Sequence, residues 1–235
     1  VLEQLPLGMT FFANNARGIE LAEAIVAAVP CCEQVRFVTS GGEADMYAIR
    51  FMGDRAYMVT FIQTDPLWNI NLTDPRRPRI DGELMVPGFS TYLHPIAGRR
   101  LLAIGRGGNQ RAVKLSIFDI SRDDPSVVIE KEVGRNGADS EAINDHRAFR
   151  YIPEYDVLAV PMTLSRANGL QLYKVGNNFS HLGIVEHDGM RTSGDVTVRR
   201  AYRVGRNLFA ISGVGLSVTD LETLETVAQV DLTDE

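Results

Sequence analysis

Cysteine is nearly missing from this chain: of 235 residues, only Cys31 and Cys32 carry a thiol. Adjacent cysteines strain the peptide between them when they pair, so no disulfide framework is expected. Both read as packing residues, and the redox compartment stays open. Lysine is almost as rare, at Lys114, Lys131 and Lys174. The four histidines, His94, His146, His181 and His187, show no HxH or HxxxH spacing, so no motif for a metal site is present. No apolar run approaches the roughly 18 residues of a membrane-spanning helix. A basic surplus is also missing. The net charge is −6, with three Arg against six acids in residues 1–50 and 21 basic against 24 acidic residues after them. Nucleic acid is therefore not an expected partner. The opening VLEQLPLGMTFF has neither a basic n-region nor a small-residue cleavage site, so no signal peptide is expected. It also lacks an initiator Met, which suggests a chain that begins inside a longer protein.

What is present falls into two styles that meet near Arg50. Residues 16–29 (ARGIELAEAIVAAV) place Ile19, Ala22, Ile25, Val26 and Val29 on one helical stripe. Asn14 or Asn15 can cap this helix and Pro30 ends it. Residues 34–39 (QVRFVT) alternate as a strand, and Ser40-Gly41-Gly42 follows. Such a turn can cradle an anion at a helix N-terminus, or can simply shape a strand–helix connection. Residues 46–51 fit a restarting helix or a strand. Strand is the expectation, because tertiary pairing overrides propensity in so short a piece.

From residue 51 onward, short apolar strands alternate with Gly, Asp and Pro turns, four times over. The third strand of each unit ends at Leu72, Ile120, Val175 and Leu221, giving spacings of 48, 55 and 46. These periods suit four-stranded propeller blades. The expected fold is mainly β: four blades at about 46–88, 89–134, 143–188 and 196–232, with a short N-terminal α/β segment. Two arrangements stand open, a closed small ring and an open arc of a larger propeller. An open arc would leave edges through which copies can self-associate.

Two resemblances attach to these segments. The run FFANNARGIELAEAIVAAVPCCEQVRFVTSGGEADMYAIR resembles class III pyridoxal-phosphate aminotransferases, the glutamate-1-semialdehyde aminomutase branch included, over about 40 residues. The resemblance implies that Ser40, Gly41 and Gly42 form the turn that holds the cofactor phosphate. Such an enzyme also needs a Schiff-base lysine and an acid for the pyridinium nitrogen. The three lysines lie in the β-rich half, none in the family's setting. Residues 1–50 thus read as a catalytically silent fragment, and pyridoxal phosphate enters only under the alternative of an aminotransferase remnant. Residues 51–235, with RFMGDRAYMVTFIQTDPLWNINLTDP, LSIFDIS, SEAINDHRAFRY and VTDLETLETVAQV, resemble the secreted bacterial and archaeal proteins with a C-terminal β-propeller domain, distant relatives of WD40 repeats. That implies an extracytoplasmic setting, and a fold more than a function.

The candidate binding residues are His94, Asp145, His146, Arg100 and Arg200. Asp145 beside His146 can form an acid–imidazole pair or join a metal site, or each can simply tie down a turn. Arg99-Arg100 and Arg199-Arg200 read as equivalent pairs that line an anion-binding rim or a solvated face. His181 and His187 are expected in solvent, and Trp68 in the core. The polar loop around Asp139, Ser140 and Glu141 is the kind that carries function on a rigid scaffold. No catalytic or metal-ligating set is assigned and no cofactor is expected. The leading function is a non-enzymatic propeller module that presents one face to a protein or glycan. A propeller hydrolase or metal enzyme using His94, Asp145 or His146 stands beside it, as does a chimeric chain with no unitary function.

Overall fold

Alternating apolar and polar residues, reversed at Gly and Asp turns, build sixteen strands in four antiparallel four-stranded sheets among the described residues. The computed structural model describes residues 46–60, 65–108, 111–135, 137–165, 167–187 and 195–232. The expected helix 16–29, the strand 34–39 and the Ser40–Gly42 turn lie outside them. Blade one holds β1 (Met46–Met52), β2 (Arg55–Thr60), β3 (Asp65–Asn71) and β4 (Arg79–Val86). Blade two holds β5 (Phe89–Ile96), β6 (Arg100–Arg106), β7 (Val113–Asp119) and β8 (Ser126–Val133). Blade three holds β9 (Arg150–Ile152), β10 (Val157–Leu164), β11 (Ala167–Val175) and β12 (Phe179–Val185). Blade four holds β13 (Arg200–Val204), β14 (Asn207–Ile211), β15 (Gly215–Asp220) and β16 (Thr226–Asp231). Each blade is a simple meander.

Pairing of β1 with β2, from Met52 with Arg55 back to Met46 with Thr60, settles residues 46–51 as strand. The strand runs across the seam expected at residue 50. Gly53, at φ 65°, makes the reversal that lets it do so. Blade three opens on a turn. His146–Ala148 form a 3-10 turn instead of opening the first strand of blade three, because the Asp145 side chain accepts the Arg147 N–H and caps the turn.

One hydrogen bond recurs in every blade and fixes the register of the repeat. Leu72, Ile120, Val175 and Leu221 each donate their N–H to the carbonyl of the residue that turns the first hairpin: Asp54, Arg99, Asp156 and Arg206, at 2.7–2.9 Å. In three blades the preceding residue, Asn71, Asp119 or Asp220, also accepts an N–H two residues on. That is the local Asx chemistry that makes such residues stop a strand.

The core lies between blades. Tyr57, Val59 and Leu67 of blade one meet Leu93, Leu101 and Phe118 of blade two. Leu102, Ile104 and Ile117 meet Leu158, Val160 and Tyr173 of blade three. Ala159, Leu170 and Leu172 then meet Ala201, Leu208 and Ala210 of blade four. Leu101 and Leu102 sit on opposite faces of β6 and both are fully buried, since that sheet is sandwiched on both sides. Each such leucine contributes about 1.5–3 kcal/mol of burial. Among the described residues the ring is not closed: the four blades form an open arc. No helix of the described residues is long and apolar enough to cross a membrane.

Candidate binding site on the inner wall

The first strands of successive blades run side by side, β1 against β5 and β9 against β13, while the last strand β16 is exposed throughout and β8 is mostly exposed or half-buried. The first strands therefore form the inner wall. Counting back three residues from the four recurrent bonds and across the ladders, Arg50, His94, Arg150 and Tyr202 occupy one equivalent position. In the first three blades this side chain points toward the following blade.

That position is used as a latch. Arg50 donates Nε–H to the Leu93 carbonyl at 2.9 Å and lies over the Tyr92 ring at 5.3 Å. Two blades on, Arg150 donates Nε–H to the Ala201 carbonyl at 3.2 Å and lies over Tyr202 at 5.5 Å. Between them His94 packs among aromatic rings. Phe149 and Tyr151 each lie 5.7 Å from its ring, and its Nδ1 meets the Tyr92 hydroxyl at 3.2 Å. Burial, and then the positive fields of Arg50 and Arg150, hold the His94 imidazole below its ordinary pKa of 6.5, so it is neutral at pH 7.

A recess of about 420 Å³ opens beside this latch, lined by Ala48–Arg50, Thr91–Leu93, Ala142–Asn144 and His146. The long connector between blades two and three supplies its far side. Ser140 anchors that connector: its buried hydroxyl donates to the Pro161 carbonyl at 2.6 Å and accepts the Ala142 N–H. His146 stacks on Tyr92 with centroids 5.8 Å apart and planes inclined by 23°.

The structure thus brings His94 and His146 both against Tyr92, and separates the other candidates. Asp145 does not pair with His146. Its carboxylate accepts from Arg200 at 2.6 Å and from the Arg147 N–H, and that N–H bond, with Arg200 beside it, holds its pKa below the usual carboxylate value. Arg200 also binds Glu141 at 2.7 Å, so its charge is neutralised within the wall. Arg100 begins the second strand of its blade, whereas Arg200 begins a first strand. The two Arg-Arg pairs are therefore not equivalent, and Arg99 corresponds to Arg206. Arg100 reaches Asn177 at 3.4 Å, away from the recess.

His187 is buried rather than solvent-facing. It sits between the hydroxyls of Ser212 at 2.7 Å and Ser217 at 2.8 Å, and burial lowers its pKa. His181 is exposed and meets Gln171 at 2.8 Å. Trp68 is half-buried, donating to Thr60 at 3.1 Å, and stands outside the three core clusters. Lys114, Lys131 and Lys174 donate to the carbonyls of Pro87, Phe179 and Tyr155, so each amine is already engaged. No group of three or more His, Cys, Asp or Glu is placed to hold a metal among the described residues.

Sheets of four strands, a recurrent register and an inner wall of first strands define a β-propeller. The chain belongs to the Beta propeller domain family, which matches residues 38–224. An uncharacterized protein of Methanocaldococcus jannaschii is 33% identical over 187 residues, 79% of this chain and 28% of that protein. The chain thus spans little more than a quarter of that relative's length. Among solved structures, the β-propeller domain of Cps50 (Swd1) from Myceliophteria thermophila aligns with a TM-score of 0.51 at 12% identity, over 86% of this chain and 63% of that one. This is a likeness of fold alone. A glutamate-1-semialdehyde 2,1-aminomutase of Leptothrix cholodnii is 58% identical over 43 residues, 18% of this chain and 10% of that enzyme.

Proposed function

We propose that this chain is a non-enzymatic propeller module that binds a carboxylate-bearing group in the inner-wall recess. One observation carries the reading. Among the described arginines of the first strands, Arg50 and Arg150 have no carboxylate within salt-bridge reach, whereas Arg200 and Arg203 do. The Nε–H of Arg50 is spent on the Leu93 carbonyl, which leaves the outer edge of its guanidinium, the edge that grips a carboxylate, toward the recess. Asn144 and His146 supply further polar groups on the facing side. The shared chemistry, a carboxylate, has two sources: a uronic-acid glycan or an acidic segment of a protein.

The module acts without a cofactor and outside the cytoplasm, the setting implied by its resemblance to secreted propellers. We assign the aminomutase-like N-terminal stretch no catalysis of its own.

Titration calorimetry tests this with four probes: an oligogalacturonate, its fully methyl-esterified form, an Asp/Glu-rich peptide and its Asn/Gln counterpart. One acidic probe binds, its neutral twin does not, and the responding pair identifies the source. Arg50→Gln and Asn144→Ala weaken that binding, the former by about 10- to 100-fold, as expected for hydrogen bonds to a charged group. Equal binding of acidic and neutral twins, or no binding of either acid, overturns the reading.

A further inference from the structure

The connector between blades two and three crosses the inner wall as two single turns, Glu141–Ile143 and His146–Ala148, joined by Asn144 and Asp145. Turns of three residues have too few internal bonds to hold a shape of their own, so their positions are set by what they touch. Blade two holds the entry, where Arg106 donates to the Ala138 carbonyl at 2.7 Å and to the Asp139 carboxylate. Blade three holds Ser140 through the Pro161 carbonyl at 2.6 Å. The buried Ala142, Ile143 and Ala148 seat the apolar side of the connector. Its polar side, where Asn144 and His146 line the recess, is held from blade four. Arg200, at the start of β13, forks across both turns: one Nη donates to Glu141 at 2.7 Å and the other to Asp145 at 2.6 Å. The first Nη also donates to the Arg199 carbonyl at 2.8 Å, which fixes the guanidinium on its own strand. The side chains of Arg200, Glu141 and Asp145 are 26%, 30% and 31% exposed, so the fork is largely shielded from water. Arg199 does not duplicate it, being paired with Asp195 at 2.6 Å and standing 3.9 Å from Glu141.

We propose that Arg200 is the positioning residue of the recess: from blade four it sets where Asn144 and His146 stand opposite Arg50. Glu141 lies three residues before Asn144, and Asp145 directly precedes His146. A planar, two-pronged donor bound to both carboxylates therefore fixes the spacing of the turns that carry the two lining residues. Its service to a ligand rests on the carboxylate reading of the recess, whereas its hold on His146 does not.

The hold is tested without ligand. The four histidines give four imidazole signals in a proton–carbon correlation spectrum of the full chain, assigned by replacing each with Gln in turn. Stacking on Tyr92 shifts the His146 signal through the ring current. Arg200→Gln should move it toward that of an unstacked imidazole, and leave His187, buried between Ser212 and Ser217, in place. Glu141→Gln with Asp145→Asn, in which Asn still caps the second turn, should do the same. Adding Arg200→Gln to that pair should move His146 no further, because the three groups act as one unit. The service to a ligand is tested by calorimetry with the oligogalacturonate and the Asp/Glu-rich peptide. Arg200→Gln and the triple variant should each weaken the acid that binds the parent by roughly 3- to 30-fold. The triple variant leaves no unpaired carboxylate at 141 or 145, so its weakening cannot come from repulsion. Recovery of parental binding by the triple variant, an unmoved His146 signal in Arg200→Gln, or a His187 signal that moves with it each overturns the proposal. If neither acid binds the parent chain, the carboxylate reading fails, and the His146 signal still decides whether Arg200 holds the wall.

Discussion

The buried ion pair of blade two offers a quantitative test of how the blades are held. The Lys114 side chain is 2% exposed and Glu130 is 27% exposed, with Nζ and Oε1 3.0 Å apart. Nζ also donates to the Pro87 carbonyl, tying β7 to the link between blades one and two. At an effective dielectric of 20 the pair attracts by about 5 kcal/mol, and desolvation of the two ions offsets most of that. The net value of the pair is therefore small, while the cost of breaking it from one side is not. Glu130→Ala leaves a buried ammonium with one carbonyl for a partner and should lower the unfolding free energy by about 3 kcal/mol. Lys114→Met leaves a partly exposed carboxylate that water can reach, and should cost about 1 kcal/mol. Lys114→Met with Glu130→Leu should return to within about 1 kcal/mol of the parent. Urea unfolding of the four proteins, compared by midpoint at constant slope, measures these three differences. If Glu130→Ala unfolds within about 0.5 kcal/mol of the parent, or the double variant is as weak as Glu130→Ala, the asymmetry is refuted.

Two further outcomes follow from the packing and the histidines. A Cβ on Gly105 would lie 1.8 Å from the Phe89 carbonyl oxygen, so Gly105→Ala must push β5 from β6; it should cost about 1–3 kcal/mol or more, read as a lower thermal midpoint. His94 and His187 are held below the ordinary 6.5, so the unfolded chain takes up their protons first as pH falls. Their contribution is complete above about pH 6.5 and declines below it, and the urea midpoint should drop between pH 7 and 5. Asp195, held at about 2 by Arg199, and Asp145 act outside that window, since they lose their contributions only below the ordinary 3.8. His187→Gln, which can still bond both serines, should flatten the slope; an unchanged slope would assign it elsewhere.

The blades were legible because their determinants are local. Alternation and Asx turns act over two to six residues, and Leu72, Ile120, Val175 and Leu221, aligned by pattern alone, share one hydrogen bond in the structure. The inner wall was only half legible. His94 and His146 stood out as rare residues, yet Tyr92, which joins them, and Arg50, which faces the recess, carry no local signal. The resemblance between Arg99-Arg100 and Arg199-Arg200 misled because a dipeptide is not a register. Counting from the aligned strand ends places Arg99 with Arg206. His187 misled for another reason: its partners, Ser212 and Ser217, lie 25 and 30 residues away, and a lone histidine beside acidic residues looks like a surface group.

Open arc and closed ring share every local feature, which is why the pattern left both standing. What separates them is the environment of positions that repeat. The residue four before the first hairpin turn is Ile49, Leu93, Phe149 and Ala201 in successive blades, apolar each time, and three of the four are buried. The latch position is Arg50, His94, Arg150 and Tyr202, and the first three meet a following blade. Among the described residues Ile49 keeps the apolar type that Leu93, Phe149 and Ala201 bury, whereas Tyr202 stands where the other blades carry Arg50, His94 and Arg150.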